Sequence, residues 1–510
     1  MNDWTSGYVT DIDYTFGHYY ELNPLRVKLA FLNAGLVAPE FGNACELGFG
    51  QGLTANLHAA ASVCSWHGTD FIPSQVGFAQ DLAAASGAKA HFFDDAFSEF
   101  MNRDLPDFDF ICLHGIWSWI SDENRGIIVD FIRKKLKVGG VLYISYNTMP
   151  GWGVFAPMRH LFAEHAENIG ASGAGSVSRV EGALDFTEKL LAVNPLFSVN
   201  NPLVNERFKQ LKSQSRTYLA HEYFNRNWNA FHFGEIVEWL KTAKLTYACS
   251  AHYLDHIDGV NLKPEQQAFL ADIHDPMFKQ TVRDFMVNQQ FRKDYWVKGA
   301  RRLTPLDQAQ GLREQRLVMT AHRPDVTLKV TGALGEASLS ESVYAPLLDL
   351  MSDHRVRTMA EIEQALKVSD ISFAQLIQMV MVLCGNGTFT AVQDETAISK
   401  AKKHTDKLNT HLMLKARSSK EISFLASPVT GGGIGVGRFH QLFILAMQQG
   451  KKKPEDWAAF VAQILAAQGQ KIVKEGKPLE TAEEQLAELT AQAHEFSVKQ
   501  LNILKALQIA

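Results

Sequence analysis

The first 150 residues switch repeatedly between two hydrophobic periods. Short apolar runs predict strands near 43–48, 65–70, 89–93, 107–113 and 140–146, and 3.6-residue patterns predict helices near 53–61, 73–85 and 122–137 between them. Asn23 and Pro24 read as N-cap and first turn before LRVKLAFL. Pro73 opens a second helix, Gly87 closes it, and Gly139-Gly140 punctuates the last helix-to-strand turn. This alternation is the rhythm of a doubly wound α/β sheet.

After SYNTMPGW the pattern lengthens into amphipathic stretches over 153–215, a helical insertion with a Gly/Ser-rich loop at 170–178. A helix-then-strand signature returns in FGEIVEWLKTAKLTYACSAHY (233–253), and FRKDYWVKG (291–299) alternates as a strand, so the first domain runs over 1–300. Over 301–395, strands at RLVMTA and VTLKVTG, helices in SESVYAPLLDLM, TMAEIEQAL and SFAQLIQMVMVLCGN, and a strand at TFTAV predict a winged-helix-like domain. Its third helix is apolar where a DNA-reading helix would be basic. Residues 396–510 begin with SKAKKHTDK, read as a solvated basic linker, and end in the helical pattern TAEEQLAELTAQAHEFSVKQLNILKAL, a mostly helical C-terminal domain.

Composition narrows the function classes. A chain of 510 residues holds several folding units, and 46% hydrophobic with 21% charged residues is an ordinary globular balance. Lys plus Arg is 50 against 55 Asp plus Glu, a net charge of −5, so there is no global attraction to polyphosphate or anionic lipid and no nucleic-acid partner is expected. The five cysteines form no C-x-x-C pair, which fits a reduced compartment and no zinc site. The polar, acidic start MNDWTSGYVTDIDY lacks a signal-peptide pattern, and no apolar run reaches about 20 residues. A cytoplasmic protein without membrane insertion is the expectation.

The most informative stretch is ELGFGQG, which ends the first strand and runs into the helix LTANLHAA. Glycines at 48, 50 and 52 permit a sharp turn and close approach of a ligand to the backbone, beside the free N–H groups of a helix N-terminus. A dinucleotide loop needs G-x-G-x-x-G, but Leu53 breaks it. Glu46 sets a carboxylate near the loop, where it suits a cationic amino group better than a pyrophosphate. S-adenosyl-L-methionine carries that amino group and no phosphate. Asp70, at the end of the second strand, suits ribose hydroxyls or serves as a helix cap. Asp94 and Asp95 close the third strand, and Asp95 is the choice for the adenine amino group.

After the fourth strand comes HGIWSWIS, with His114 and Trp117 either walling an amine pocket by cation–π contact or packing as core. The fifth strand ends in SYNTMPGW, which adds Asn147 on the same edge. The N-terminal YVTDIDYTFGHYYELNP, with Tyr14 and Tyr19, reads either as a lid over the ligand or as an aromatic strap.

These motifs resemble class I S-adenosylmethionine-dependent methyltransferases. More narrowly, ELGFGQG, HGIWSWIS, SYNTMPGW, HEYFNRNW (221–228) and FRKDYWVKG are similar to the bacterial group that carries a methyltransferase regulatory domain and includes the rickettsial outer-membrane-protein lysine methyltransferases. The resemblance implies a Rossmann-like seven-stranded core with its regulatory segment near 216–300. It implies a cofactor held by Glu46, Gly48, Gly50, Gly52, Asp70 and Asp95 and released as S-adenosyl-L-homocysteine, with no metal. His114, Trp117, Tyr14, Tyr19 and Asn147 are then the candidate catalytic residues. The implied activity is N-methylation of lysine in a protein substrate, and the oligomeric state, a homodimer included, stays open. The alternatives are a small-molecule or natural-product N/O-methyltransferase and a non-enzymatic, cofactor-sensing DNA-binding regulator. The chain lacks the Asn-Pro-Pro-Tyr loop of base-methylating enzymes, His114-Gly115-Ile116-Trp117 standing in its place.

Overall fold

Seven apolar segments pair into one sheet in the computed structural model, which describes residues 8–9, 11–12, 15–170 and 175–510. The strands are β1 (Asn43–Leu47), β2 (Ser65–Thr69), β3 (Ala90–Phe93), β4 (Phe108–Leu113), β5 (Leu136–Asn147), β6 (Leu245–Ser250) and β7 (Phe291–Lys298), in the order β3-β2-β1-β4-β5-β7-β6. β1 to β5 pair in parallel, and β7 enters antiparallel between β5 and β6. Every residue of β4 is buried, as a central parallel strand covered on both faces requires.

The connecting helices are α1 (Pro24–Asn33), α2 (Leu53–Ala61), α3 (Pro73–Ser86), the short α4 (Phe97–Phe100) and α5 (Asp122–Lys135). Local chemistry sets their ends: the Asn23 side chain accepts from Leu25 N–H, Ser121 accepts from Asn124 N–H, and Gly87 closes α3 at φ 63°. The turn expected at Gly139-Gly140 lies inside β5. Leu136 pairs with Phe108 and Val141 with Phe110, so the ladder skips over Gly139, at φ 83°.

Helices Ala156–Asn168, Ser176–Ala192, Leu203–Lys212 and Arg216–Tyr223 follow β5 and enclose their own core of Phe155, Phe162, Leu184, Phe208, Leu219 and Tyr223. This helical core therefore continues past residue 215. The helix Phe233–Lys241 then leads to β6 and the sheet closes at β7.

Beyond the sheet, Arg316–Met319 is the middle strand of a three-stranded sheet between Arg357–Thr358 and Phe389–Val392. The stretch VTLKVTG does not join it. Lys329–Gly332 instead pairs with Gly335–Ser338 in a separate hairpin, the chain turning back at Ala333-Leu334. The apolar third helix, Phe373–Gly385, buries Leu376 and Met379 through Cys384 in a core shared with Tyr253 and α1.

The stretch read as a basic linker is a helix, Glu395–Lys415, capped by Asp394. Its lysines face solvent while Ala397, Ile398, Ala401, Leu408 and Leu412 form a buried stripe at helical spacing. This helix and the hairpin Phe424–Ser427/Gly432–Gly435 pack on α2, and the helices Arg438–Gln448, Pro454–Ala467 and Ala482–Lys499 complete that core. Among the described residues no single helix is long and apolar enough to cross a membrane. All five cysteines are buried free thiols.

Leu53, Leu57, Ala60 and Ala61 of α2 share one core with Leu408, Leu412 and Leu425. A chain truncated after residue 300 should therefore expose an apolar face and aggregate. Size-exclusion chromatography checks this, and a monodisperse, cooperatively melting fragment would contradict it.

Candidate cofactor site

At the end of β1 the chain turns through Gly48, Gly50 and Gly52 at φ 70°, 58° and 65°, a region that costs side-chain-bearing residues energy. The three glycines are required for different reasons. A Cβ on Gly48 would lie 2.4 Å from Ile116 Cδ1, and one on Gly52 would lie 2.5 Å from Ala79 Cβ, so packing closes both. A Cβ on Gly50 would meet only Gln75 Oε1 at 3.9 Å. It would stand in a cavity of about 550 Å³, a size suited to a cofactor-sized ligand.

Carboxylates line this cavity. Asp70 accepts from Gly50 N–H at 2.8 Å and from Ile72 N–H at 3.1 Å, which holds the glycine turn against the end of β2. Burial nevertheless pushes the Asp70 carboxyl up to about 6. Glu46 is buried with Oε2 lacking any hydrogen-bond partner, and burial, with the nearby Asp70 charge, pushes it up to about 8. An unpartnered carboxylate oxygen in a cavity wall is matched by a cationic group. Asp95 lines the cavity and is held by a two-toothed ion pair to Arg103, whose guanidinium also lies 4.1 Å from the Phe93 ring. Asp94 is exposed outside it.

Described residues of the N-terminal segment, Tyr8, Thr15, Gly17 and Tyr19, also line the cavity. Tyr19 N–H donates to Thr54 Oγ1 on α2 at 3.2 Å, and the Thr54 hydroxyl donates to the Gly17 carbonyl. At the other end Val9 N–H donates to Asn225 Oδ1 at 3.1 Å, and Tyr8 packs between Phe71 and His221. Two of the residues that pin the strap, His221 and Asn225, thus come from HEYFNRNW.

His114 ends β4 in the cavity wall, stacked on Tyr19 with ring centroids 3.5 Å apart. Its Nδ1 pairs with the Tyr143 hydroxyl at 2.8 Å, and burial holds the imidazole down to about 3, so it is neutral. Behind it, Glu21 pairs with Lys293 at 2.6 Å. Burial would raise Glu21, but Lys293 and Arg26 hold it down to about 2.

Glu46, the three glycines, Asp70, Asp95, Tyr19 and His114 therefore share one cavity. Trp117 and Asn147 do not. Trp117 is fully buried in the core beneath α5, edge-to-face with Trp239 at 5.7 Å, because the short helix after β4 turns it inward. Trp119, two residues on, takes the place in the wall that was expected of Trp117. Asn147 is buried at the end of β5, where its N–H donates to Ser118 Oγ and its carbonyl accepts from Phe231 N–H. Tyr14 lies outside the described residues. Sequence reasoning missed Phe71, Gln75, Ile127 and Asn227 as lining residues. Of these, only Asn227, within HEYFNRNW, carried a motif signal.

Three comparisons bear on this geometry. Residues 215–298 match a family model described as a predicted methyltransferase regulatory domain. The uncharacterized protein sll1526 of Synechocystis is 42% identical over 512 residues, covering 99% of this chain and 100% of that protein. The uncharacterized protein RP789 of Rickettsia prowazekii is 24% identical over 287 residues, 55% of this chain and 51% of its own. Among solved structures, PKMT2 from Rickettsia typhi in complex with AdoHcy has a TM-score of 0.68 at 16% identity, covering 95% of this chain and 98% of that one. The shared fold is that of the class I S-adenosylmethionine-dependent methyltransferases. The residues of the cavity fit that cofactor: Glu46 Oε2 offers an unmatched acceptor for its amino group, and Gly50 leaves the room that a side chain would fill.

Gly50→Ala should lower S-adenosylhomocysteine affinity by at least about tenfold while the melting temperature falls only by the small cost of a left-handed alanine. Calorimetry beside thermal melting checks this, and unchanged affinity would remove the ligand from the loop. Cofactor affinity should also depend on pH. With Glu46 at about 8 in the free protein, a cationic amino group must displace its proton at lower pH. Affinity should thus rise from about pH 6 and level off near 8, with proton release on binding. Glu46→Gln should flatten that slope, and a flat profile in the unsubstituted protein would count against the pairing.

Proposed function

Because the chain belongs to the family of the Synechocystis protein sll1526 and carries the S-adenosylmethionine-dependent methyltransferase fold, we propose that it N-methylates lysine side chains of a protein. The observation that carries this reading is the cavity itself, which joins the unpartnered Glu46 carboxylate and the open Gly50 turn to an aromatic end made by His114, Tyr19 and Trp119. In this reading Glu46 binds the cofactor's amino group, Asp70 the ribose hydroxyls and Asp95 the adenine amino group. The backbone at Gly48–Gly52 lies against the ligand. The cofactor supplies a methyl group already activated on a sulfonium, so the protein's task is alignment, exclusion of water and a neutral acceptor amine.

The aromatic end suits that task. Stacked rings bind a cationic side chain by cation–π contact, and desolvation lowers the lysine pKa so that the neutral amine is reached near pH 7. An imidazole held down to about 3 is too weak a base to keep the amine's proton. His114 therefore orients the acceptor through its fixed stacking with Tyr19, and the proton leaves through solvent. The strap over the cavity closes the site once both ligands are in place.

A protein acceptor is favoured over a metabolite by the extent of the likeness to PKMT2, which includes the parts beyond the sheet. The DNA-binding alternative is less favoured, because the helix Phe373–Gly385 carries no basic residue and packs its apolar residues from Leu376 to Cys384 into the core.

The protein incubated with tritiated S-adenosylmethionine and a lysate of its native host should place label in acid-precipitable protein, with methyl-lysine identified by peptide mass spectrometry. Gly50→Ala should abolish the incorporation. Label confined to the acid-soluble fraction would instead make the protein a small-molecule methyltransferase.

A further inference from the structure

α5 and the helix Phe233–Lys241 pack on the same core beneath β4 and β5 and leave an open groove of about 1140 Å³ between them. Its floor is apolar: Met101, Ile127, Val129 and Trp239. A Cβ on Gly126 would meet nothing within 4 Å, so the groove is open above the α5 backbone. Along its two sides stand Glu123 and Asp130 on α5 and Glu235 and Glu238 on the facing helix. No Lys, Arg or His lines it.

That combination selects an occupant. Apolar anchors at i, i+3/i+4 and i+7 of a helix would meet the floor, with Trp239 as an aromatic contact fixed from behind by Trp117. Basic side chains on the flanks of such a helix would meet both acidic rows. Asp130 and Glu238 are 54% and 70% exposed, and each has a cation only on its own helix, Arg133 at 3.2 Å and Lys241 at 3.4 Å. Exposed pairs of this kind are weak, so an incoming lysine competes for them. The groove also adjoins the cofactor cavity, since Glu123 and Ile127 line both.

We propose that this groove docks a lysine-rich amphipathic helical segment of the protein that is methylated. The inference rests on the lysine-methyltransferase reading and adds to it a recognition surface outside the cofactor cavity. It assigns substrate selection to local charge and not to the acceptor residue alone.

The test uses the full chain and a fluorescein-labelled peptide of about 18 residues with leucine and lysine at helical spacing. Anisotropy should show binding that weakens with salt, and Asp130→Lys/Glu238→Lys should lower the affinity by at least about tenfold. Calorimetry with S-adenosylhomocysteine should give the same cofactor affinity for both proteins, which shows that the double variant is folded. Equal peptide affinity in the variant, or equal affinity for a leucine–glutamate peptide of the same pattern, would overturn the proposal. So would sedimentation data showing a dimer that excludes the peptide and that the double variant dissociates, since the groove would then belong to a second copy. Failure of the protein to bind S-adenosylhomocysteine would instead overturn the methyltransferase reading, and the peptide measurement reports separately on the groove.

Discussion

The helix that follows the glycine turn is enclosed on every side, and the position of the cofactor loop depends on that enclosure. All nine residues of α2 are buried, polar ones included. Its polar side chains are held from three directions, though Asn56 Oδ1 and His58 Nε2 stay without a partner: Asn56 donates to the Gly52 and Ala79 carbonyls, His58 Nδ1 pairs with the Gly431 carbonyl, and Thr54 accepts from Tyr19 N–H. Burial holds His58 down to about 4, so no charge is confined there. Asn23 and Gln393 bind the same junction, donating to the Thr430 carbonyl and to the Ala61 carbonyl. The sheet, the N-terminal strap and the C-terminal region thus each fix the helix whose first turn closes the ligand loop. A chemistry confined to the sheet still needs the remaining chain to hold its geometry.

The second constraint is electrostatic. Glu46 and Asp70 bring two carboxylates into one low-dielectric cavity, and both are pushed upward, to about 8 and about 6. Asp70 is partly compensated by two backbone N–H groups, whereas Glu46 Oε2 has no partner. An incoming cation displaces the Glu46 proton and balances the carboxylate so formed, so the site suits a ligand that carries one. A dinucleotide would bring a pyrophosphate against these acids and aggravate the repulsion.

The sheet was legible because its signals are local. Apolar runs, helix ends at Asn23 and Gly87, and glycines at 48, 50 and 52 each act through their immediate neighbours in the chain. The misread parts were decided by packing that residue type alone does not show. SKAKKHTDK reads as a solvated run until its helix is seen packed on α2, and VTLKVTG reads as a strand of the winged-helix-like domain until it pairs in a hairpin of its own. Trp117 and Trp119 are two residues apart in one aromatic motif, and only the short helix between them decides which faces the ligand. Asp94 and Asp95 are equivalent by type, and the Arg103 ion pair, eight residues downstream, distinguishes them. The glycine turn and its place beside a cavity could therefore be read from the sequence, while the aromatic wall of that cavity could not.

Net charge marks the same boundary. A total of −5 spread over 510 residues gives a weak average field, which offers a polyphosphate partner no general attraction. Charges separated by more than about 8 Å are screened at physiological salt, so a docking segment responds to the few groups beside it and not to the sum. Four acids facing an apolar floor, with no cation between them, form a strong local feature inside a nearly neutral chain. The amine proposed for the acceptor end and the basic segment proposed for the groove rest on the same physical argument. In both places burial or clustering leaves acidic or aromatic groups that a lysine-bearing partner can satisfy and an acidic one cannot.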